Sequence, residues 1–387
     1  MNDEKINCVD LYELDREWPE EYQTLVSQVR RFVDSEVLPT MAEDHENASF
    51  PKQIISGVKK LALLESHADD QLDPLAYGLA LRELERGSSG LRSFVSVQGS
   101  LVMSTIKMFG SKEQQAKWIP TLGRLEKIGC FGLTEPDFGS NPAGMRSTAV
   151  STSKGYKLNG TKFWITNGTM ADVAIIWAKL EGNICGFIVE TDRPGFKASS
   201  IKGKWSFRSS DTAELSLDNV EIPKENKLDK ANSIGCALKS LNQARYGIAW
   251  GVIGAARAAL EETVQYLKER PQFDGRPLTT HQLVQNKIAW MATEITAMEL
   301  ICKRLAELKM NNNIKPHQIS LAKMNNCRRA LEVCRTCREL LGANGIHNEY
   351  HVGRRMVDLE TVVTYEGTEH IHSLVIGNYV TGDKAYV

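Results

Sequence analysis

The sequence lacks the features that mark several large classes of protein. No run of apolar residues approaches the roughly 20 that cross a lipid bilayer, so we expect no membrane span. The formal net charge is only −1, whereas a nucleic-acid-binding protein normally carries a clear basic excess. Residues 1–18 are acidic and polar, unlike a secretory signal or a transit peptide. We therefore expect a cytoplasmic protein that does not bind nucleic acid.

Cysteine is also scarce, with eight in 387 residues, which is too few for a disulfide-stapled scaffold. Cys334 and Cys337 form a C-x-x-C motif, but neither a second pair nor suitably spaced histidines accompany it, as a zinc site would require. In a helix predicted over 321–341, these two residues and Cys327 share one stripe. We interpret the three thiols as packing residues and predict no metal site.

The hydrophobic periodicity changes twice along the chain. Apolar residues recur at threes and fours from about Glu20 to Leu122, as in amphipathic helices. Short alternating or apolar runs follow up to Pro223, and then the helical period returns. This order predicts an α+β fold, not a dinucleotide-binding fold in which strands and helices alternate. We assign an N-terminal helical domain, a middle β-barrel domain and a C-terminal four-helix bundle to residues 1–126, 127–227 and 228–387.

Individual elements follow from local patterns. The run 156–165 alternates around Asn159-Gly160, which predicts a β-hairpin with a tight turn. Further short strands are predicted over 173–178, 185–189, 213–217 and 220–222. Long helices, of the kind that pack as a bundle, are predicted over 238–269, 280–309 and 317–341 and after Gly367.

Five phrases in this layout carry more specific information. They are Phe-Gly-Leu-Thr-Glu-Pro at 131–136, Trp-Ile-Thr-Asn at 164–167, the run 242–251, Leu-Gly-Ala-Asn-Gly-Ile at 341–346 and Tyr-Glu-Gly-Thr at 365–368. Together they resemble the acyl-CoA dehydrogenases, and the glutaryl-CoA dehydrogenases most closely. The resemblance implies helical, β and bundle domains with FAD between them, and a homotetramer in which each flavin touches a second subunit. It also implies an acyl-CoA substrate and electron-transfer flavoprotein as the electron acceptor.

Glu366 matches the catalytic base of this family. Oxidation of an acyl thioester at Cα–Cβ needs a base in a dry site, because desolvation raises the pKa of a carboxyl group and makes it a better proton acceptor. It also needs an electron sink, which a flavin provides and a side chain does not. Taken without the other phrases, Glu366 would be interpreted as a helix-start glutamate stabilised by the helix dipole. With them, we predict that Glu366 is the base.

The resemblance implies a set of FAD contacts. Trp164 and Thr166 should cover one side of the flavin, and the Thr134 hydroxyl should meet the edge of its ring. The pattern alone favours plainer roles, because a tryptophan on an alternating strand is more often in the core and Arg270 is more often a solvated helix-end cation. Arg270 and Gln282 resemble residues that reach the FAD of a neighbouring subunit. The other predicted FAD contacts are Phe131, Leu133, Gly139, Ser140, Ile165, Glu339, Gly342, Ala343, Thr368, Glu369 and His370.

The acyl-CoA contacts also follow from the resemblance. The stretch 83–98 resembles the segment that binds the distal carboxylate of glutaryl-CoA, with Arg92 as its arginine and Ser96 as a supporting hydroxyl. An arginine at the end of an apolar acyl pocket favours an anionic tail, because an unpaired buried cation is costly. The alternative is that Arg92 forms a surface ion pair. The other predicted substrate contacts are Ser93, Ser140, Arg245 and Gly367, with Glu85 and Tyr365 matching residues of members that decarboxylate.

The sequence departs from the family pattern at three places, and the first, in segment 65–74, keeps a second hypothesis open; the third is Asn141, where an aspartate is common. The segment 65–74 is shorter and more acidic than the Gly-rich loop usual there, and 270–275 contains an extra residue near Asp274 and a proline. The leading hypothesis is FAD-dependent dehydrogenation of glutaryl-CoA with decarboxylation to crotonyl-CoA. The alternative is a related flavoenzyme that acts on another acyl thioester, including one carried by an acyl carrier protein. A non-catalytic flavin-binding scaffold is a third hypothesis.

Overall fold

The computed structural model describes residues 9–69 and 72–385. The N-terminal part of the chain is helical, as predicted. Two π-helical segments, Val33–Val37 and Val97–Met103, continue the helices that precede them. The α-helices are α1 (Leu14–Glu17), α2 (Glu20–Phe32), α3 (Leu38–Glu46), α4 (Ile55–Lys60), α5 (Leu63–Ala68), α6 (Pro74–Gly87), α7 (Ser89–Ser96), α8 (Ser104–Phe109) and α9 (Lys112–Gly123).

The break between α6 and α7 is a single residue, Ser88. Its hydroxyl accepts hydrogen bonds from the backbone N–H groups of Gly90 at 3.1 Å and Leu91 at 3.4 Å, which caps α7. The turn between the two helices is therefore tight. It brings the end of α6, with Glu85, against the start of α7, with Arg92.

The middle part is one curled sheet of seven strands. The strands lie in the order β1-β4-β2-β3-β7-β6, and β5 pairs with β4. They are β1 (Gly129–Gly132), β2 (Thr148–Ser151), β3 (Gly155–Thr166), β4 (Val173–Leu180), β5 (Asn183–Glu190), β6 (Phe196–Ser200) and β7 (Thr212–Pro223).

The predicted hairpin at Asn159-Gly160 is wrong, because β3 runs straight through it. The pairing of β3 with β7 shifts between Leu158 and Gly160, so the glycine marks an irregularity within one strand. A Cβ on Gly160 would lie 2.2 Å from Ser147 Oγ, and its φ is +146°. Close approach of a neighbouring chain segment, rather than a tight turn, explains this glycine. The two short strands predicted over 213–217 and 220–222 are likewise one strand, β7.

The C-terminal part is helical, and α12 packs against each of the other four helices there. The predicted long helices are confirmed, whereas α13 was not predicted. Cys327, Cys334 and Cys337 are buried along α12, in agreement with a packing role. Within residues 9–69 and 72–385, no helix combines the length and apolarity needed to cross a membrane. The elements are α10 (Ile234–Glu269), the short strands β8 (Pro271–Gln272) and β9 (Arg276–Pro277), α11 (Gln282–Met310), α12 (Pro316–Leu340), α13 (His351–Thr364) and α14 (Glu369–Thr381).

A buried ionic network joins the N-terminal helices to the C-terminal ones. Glu299 Oε1 accepts from Arg82 at 3.0 Å and from Arg257 at 2.5 Å, and both arginines also bond to Asp15. A Cβ on Gly254 would lie only 1.8 Å from the Arg82 carbonyl oxygen, so α10 touches the backbone of α6. These contacts fix the relative position of α6, which carries Glu83 and Glu85, and α10, which carries Arg245 of the site described below.

We predict that Glu299→Gln lowers the free energy of unfolding by about 3–5 kcal/mol, because it leaves two buried arginines short of a negative charge. Denaturant unfolding measures this change. The matched control is Glu294→Gln on the same helix, whose pair with Arg329 is partly exposed and contributes about 0–1 kcal/mol. Equal losses in the two variants would contradict a stabilising role for the network.

Candidate active site

A cavity of about 670 Å³ lies where the sheet meets α7, α10 and the link between α13 and α14. Its walls come from all three parts of the chain, which explains why its residues are spread so widely in sequence. It brings together many of the predicted site residues: Ser93, Phe131, Leu133, Thr134, Gly139, Ser140, Trp164, Ile165, Thr166, Arg245, Tyr365, Glu366, Gly367 and Thr368.

Glu366 lies in the link between α13 and α14 with a left-handed backbone, φ 51°. An L-residue in this region costs about 1–2 kcal/mol, so neighbouring contacts must hold it there. Arg245 Nε provides one, a hydrogen bond of 2.7 Å to the Glu366 carbonyl oxygen. Gly367 follows at φ +104°, where a Cβ would lie 2.8 Å from His372 Nε2. Thr368 then caps α14 by accepting from the Ile371 N–H at 3.3 Å.

The Glu366 carboxyl is shielded and unengaged. Its Oε2 is buried and accepts no hydrogen bond from any described residue, although the residue as a whole is only half-buried because it faces the cavity. Burial raises the pKa of this carboxyl, and the positive charges of Arg92, Arg245 and Lys323 only partly oppose the rise. The backbone N–H of Glu366 also has no hydrogen-bond partner among the described residues. The site thus offers a dry proton acceptor beside an unused donor.

Arg92 is neither on the surface nor unpaired. It is fully buried, and its Nε donates to Glu85 Oε2 at 2.6 Å. Its Nη2 donates to the Tyr365 hydroxyl, and Ser89 Oγ donates to the other Glu85 oxygen at 2.8 Å. The alternative that Arg92 forms a surface ion pair is therefore wrong. A substrate anion is also not needed to balance this cation, because Glu85 balances it. Arg92, Glu85 and Ser96 lie behind the cavity wall, not on it.

Ser96 lies one helical turn beyond Arg92 on α7. Its Oγ is buried and has no hydrogen-bond partner among the described residues. This face of the helix therefore has spare hydrogen-bonding capacity at the Ser96 hydroxyl. Such capacity is uncommon for buried polar groups and calls for a partner.

Trp164 is on the cavity wall and not in the core. The pairing of β3 with β7 shifts between Lys162 and Ile165, and Trp164 has a left-handed φ of 62°. This irregularity turns the indole out of the sheet, so it is 57% exposed and packs edge-on against Phe163. The hydroxyls of Thr134 and Thr166 also reach this cavity and bond to no described residue. A flat aromatic wall with free hydroxyls fits an isoalloxazine ring with a polar edge.

A buried ion pair holds the loop that follows β1. Lys162 Nζ donates to Glu135 Oε1 at 2.8 Å and to the Leu133 carbonyl at 3.2 Å. Burial raises the pKa of Glu135, but Lys162 and the backbone N–H groups of 146–147 outweigh it and bring that pKa to about 2. The pair fixes the loop so that Thr134 faces the cavity. Sequence reasoning missed Lys162 because nothing in the alternation of β3 distinguishes it.

The remaining predicted FAD contacts lie apart from the main cavity. Arg270, Gly342 and Ala343 line a second cavity of about 250 Å³ that shares no lining residue with the first. The extra residue noted in 270–275 is accommodated in the small β8–β9 hairpin. Gln282, Glu339 and His370 are exposed, and Glu339 and Glu369 pair with Lys287 and Arg328.

The described residues of the unusual segment 65–74 do not line the main cavity. Residues up to Ala68 belong to α5, and none of 65–69 and 72–74 lines the cavity. His67 instead stacks on Tyr77, with ring centroids 4.9 Å apart. This departure from the family pattern therefore does not reshape the described cavity.

Several cavity residues escaped the sequence analysis. The segment 202–207 follows β6 and closes one side of the cavity, and Trp205 is 67% exposed there. No local signal distinguishes this polar loop from any other. The other lining residues that were not predicted are Val97, Leu101, Pro142, Thr212, Leu238, Leu241, Glu360, Thr361, Thr364 and Ile371.

Comparison with known families places the chain. Acyl-CoA dehydrogenase N-terminal, middle and C-terminal domains match residues 19–126, 130–220 and 234–380. The chain therefore belongs to the acyl-CoA dehydrogenase family, and it is an FAD-dependent oxidoreductase. Membership in this family of enzymes removes the support for a non-catalytic scaffold.

Three members of the family illustrate how similar the chain is to individual relatives. A crystal structure of a glutaryl-CoA dehydrogenase from Mycobacterium smegmatis, in complex with FADH2, is 44% identical, with a TM-score of 0.96, over 98% of this chain and 100% of that one. Butyryl-CoA dehydrogenase from Megasphaera elsdenii is 31% identical, with a TM-score of 0.89, over 94% and 98% of the two chains. An acyl-CoA dehydrogenase from Bacillus subtilis is 34% identical over 92% of this chain and 96% of its own.

We predict that Gly367→Ala destabilises the protein by about 1–3 kcal/mol, because the new Cβ meets His372 in a backbone region that L-residues avoid. The shift of the link should also lower the rate of flavin reduction. Thermal unfolding and stopped-flow absorbance measure the two effects. Gly377→Ala in α14 is the control, since a Cβ there meets no atom within 4 Å and alanine favours a helix. Wild-type behaviour of Gly367→Ala would count against a strained link.

Proposed function

We propose that this enzyme oxidises glutaryl-CoA and decarboxylates the product to crotonyl-CoA. The observation that carries the proposal is the buried cation Arg92, whose Nη2 contacts Tyr365, the neighbour of Glu366 in sequence, together with the unpartnered Ser96 hydroxyl one helical turn further along α7. The greater identity to a glutaryl-CoA dehydrogenase than to a butyryl-CoA dehydrogenase also supports it. No described residue of 65–74 favours a different acyl group.

Glu366 accepts the α-proton in the proposed reaction. Its raised pKa and unengaged Oε2 suit a general base, which must be deprotonated yet a good proton acceptor. The N–H of Glu366 donates to the thioester carbonyl as negative charge develops there, as in an oxyanion hole. FAD, when bound, would supply the acceptor for the hydride that leaves the β-carbon. Arg245 positions the base by donating a hydrogen bond to the backbone carbonyl oxygen of Glu366.

Decarboxylation follows from the charge at the far end of the substrate. After oxidation, the γ-carboxylate is vinylogous to the thioester, so breaking the bond to CO2 sends its electron pair into a dienolate. Protonated Glu366 returns its proton to this carbon chain, which gives crotonyl-CoA. Arg92 and Ser96 do not line the empty cavity, so they hold the carboxylate before it leaves only once Tyr365, which lines the cavity and contacts Arg92, moves aside. Glu85 keeps Arg92 neutralised while the site is empty.

The loop after β1 and the bulged part of β3 would hold FAD between them. We assign its ring to Trp164, Thr166 and Thr134, which share the cavity with Glu366. The second cavity, with Arg270 and Gly342, serves the FAD of a neighbouring subunit. Exposed apolar side chains in the C-terminal part of the chain support such an assembly: Leu283, Ile346, Tyr379 and Val380. We propose that the assembly is a homotetramer. We also propose that it passes electrons to electron-transfer flavoprotein.

With glutaryl-CoA and an electron acceptor, we predict equal amounts of crotonyl-CoA and CO2. Product analysis by liquid chromatography and trapped CO2 checks this. Glu366→Gln should keep its FAD and lose activity by about 10²–10⁴-fold, because the general base is gone. Oxidation of butyryl-CoA with no turnover of glutaryl-CoA would sink the assignment. Release of the unsaturated dicarboxylic thioester alone would remove the decarboxylation step.

Selectivity for a dicarboxylic acyl group should depend on Arg92. We predict that Glu85→Gln/Arg92→Gln lowers kcat/KM for glutaryl-CoA relative to butyryl-CoA by roughly 10–100-fold, because a charge-assisted hydrogen bond contributes about 1.5–3 kcal/mol. Steady-state kinetics with both substrates gives the ratio.

The double variant is the appropriate test because Arg92→Gln alone leaves Glu85 as a buried unpaired charge, at about 3–5 kcal/mol. Glu85→Gln alone is the matched control that retains the cation. An unchanged substrate ratio in a folded, FAD-containing double variant would show that Arg92 does not read the distal carboxylate.

A further inference from the structure

Lys323 is a buried cation directed at the link that carries Glu366. It lies on α12 and is 1% exposed. Its Nζ donates to the backbone carbonyls of Val363 at 3.3 Å, Tyr365 at 3.0 Å and Gly367 at 2.9 Å. The ammonium therefore contacts the chain on both sides of Glu366.

The three acceptors around Nζ match the three donors of an ammonium group, while burial lowers the pKa of this lysine. An ammonium group has three N–H donors, and each of the three carbonyls takes one. Two of these carbonyls lie where α13 ends, at Val363 and Tyr365, and the last carbonyls of a helix lack intrahelical donors. A cation is also favoured there by the helix dipole. Lys323 thus satisfies groups that would otherwise be buried without partners.

The link is held from two directions. Arg245, on α10, donates a hydrogen bond to the backbone carbonyl of Glu366. Lys323, on α12, donates to the carbonyls of the two adjacent residues, Tyr365 and Gly367. Glu366 and Gly367 both have positive φ, so this stretch is strained and needs external contacts to persist. None of these contacts uses the Glu366 carboxyl, whose Oε2 stays unengaged.

We propose that Lys323 is a positioning residue for the base, with an ammonium group that clamps the carbonyls around Glu366 so that its carboxyl faces the cavity. The proposal rests on the assignment of Glu366 as base. Lys323 does not line the cavity, and backbone carbonyls occupy its three donors, so it has none left for a substrate or a flavin. It acts through the backbone of Glu366 and through its charge.

The charge has a separate consequence for the base. Three cations act on Glu366 from the elements around it: Arg92 on α7, Arg245 on α10 and Lys323 on α12. The other titratable groups nearby are Tyr365, Cys327 on α12 and, beside Gly367, His372 on α14. Burial lowers the pKa of His372 to about 3, so this ring is neutral at working pH. Removal of the Lys323 charge should therefore raise the pKa of Glu366 further, because only two cations remain.

The test compares Lys323→Met with Lys309→Met, each as the FAD-containing enzyme. Lys309 is also a lysine of the C-terminal helices, placed over the Tyr246 ring at 4.1 Å, but it does not contact the link. For Lys323→Met we expect kcat to fall roughly 100-fold with KM nearly unchanged, because a small misplacement of a catalytic group costs about this much. The acid limb of the pH–rate profile should move to higher pH. Lys309→Met should leave both unchanged.

Hydrogen exchange provides a readout that does not depend on turnover. Amides of 365–368 should exchange faster in Lys323→Met than in the wild type or Lys309→Met. Lys323→Arg, which keeps the charge and donors, should recover the acid limb and at least tenfold of the lost kcat. Where Lys323→Met does not fold, Lys323→Gln carries the same comparison.

Unchanged kcat, acid limb and exchange in Lys323→Met or Lys323→Gln would overturn the proposal. So would an arginine variant as impaired as the methionine one, because the role would then be packing alone. Failure of the proposed function is a distinct result: Glu366→Gln would then be as active as the wild type. The exchange measurement would still report whether Lys323 holds the link.

Discussion

A carboxyl group kept dry and unengaged is the constraint on which the rest of this structure depends. The left-handed backbone of Glu366 and the burial of its side chain are both unfavourable, so they persist only because other elements impose them. Arg245 and Lys323 impose them from two different helices, through the backbone of the link. The buried network at Glu299 in turn fixes the helices of the N-terminal part against α10. The helix contacts that stabilise the fold therefore also position the active site.

The cations near Glu366 form their hydrogen bonds and ion pairs with groups other than its carboxyl. Arg92 is paired with Glu85, and Lys323 is bonded to carbonyl oxygens, so neither forms an ion pair with Glu366 among the described residues. A direct ion pair would lower the pKa of the base and occupy its oxygens. Distant charges instead restrain the pKa without blocking proton transfer. The site therefore balances two needs of a general base, which must be ionised and must still accept a proton.

The sequence was sufficient for the order of the three parts and for the long C-terminal helices, because periodicity is local. A four-residue phrase, also local, is the basis for proposing Glu366 as the base. It failed where the cause is tertiary. Gly160 was read as a turn, yet it is a close contact with Ser147 that only the folded sheet creates. The partner of Arg92 lies seven residues away across a helix break, and the partners of Lys323 are backbone atoms some forty residues away. Backbone acceptors leave no trace in side-chain patterns, so Lys323 could not be recognised.

The rate of flavin bleaching by glutaryl-CoA, measured under anaerobic conditions as a function of pH, tests the central claim most directly. If Glu366 is the buried base, the rate should fall on the acid side with an apparent pKa above the ordinary glutamate value of 4.5, because a protonated carboxyl cannot accept the α-proton. Glu366→Gln should not bleach at any pH while it retains its FAD. Rapid bleaching of that variant, or a rate that does not depend on pH in the acid range, would contradict the account.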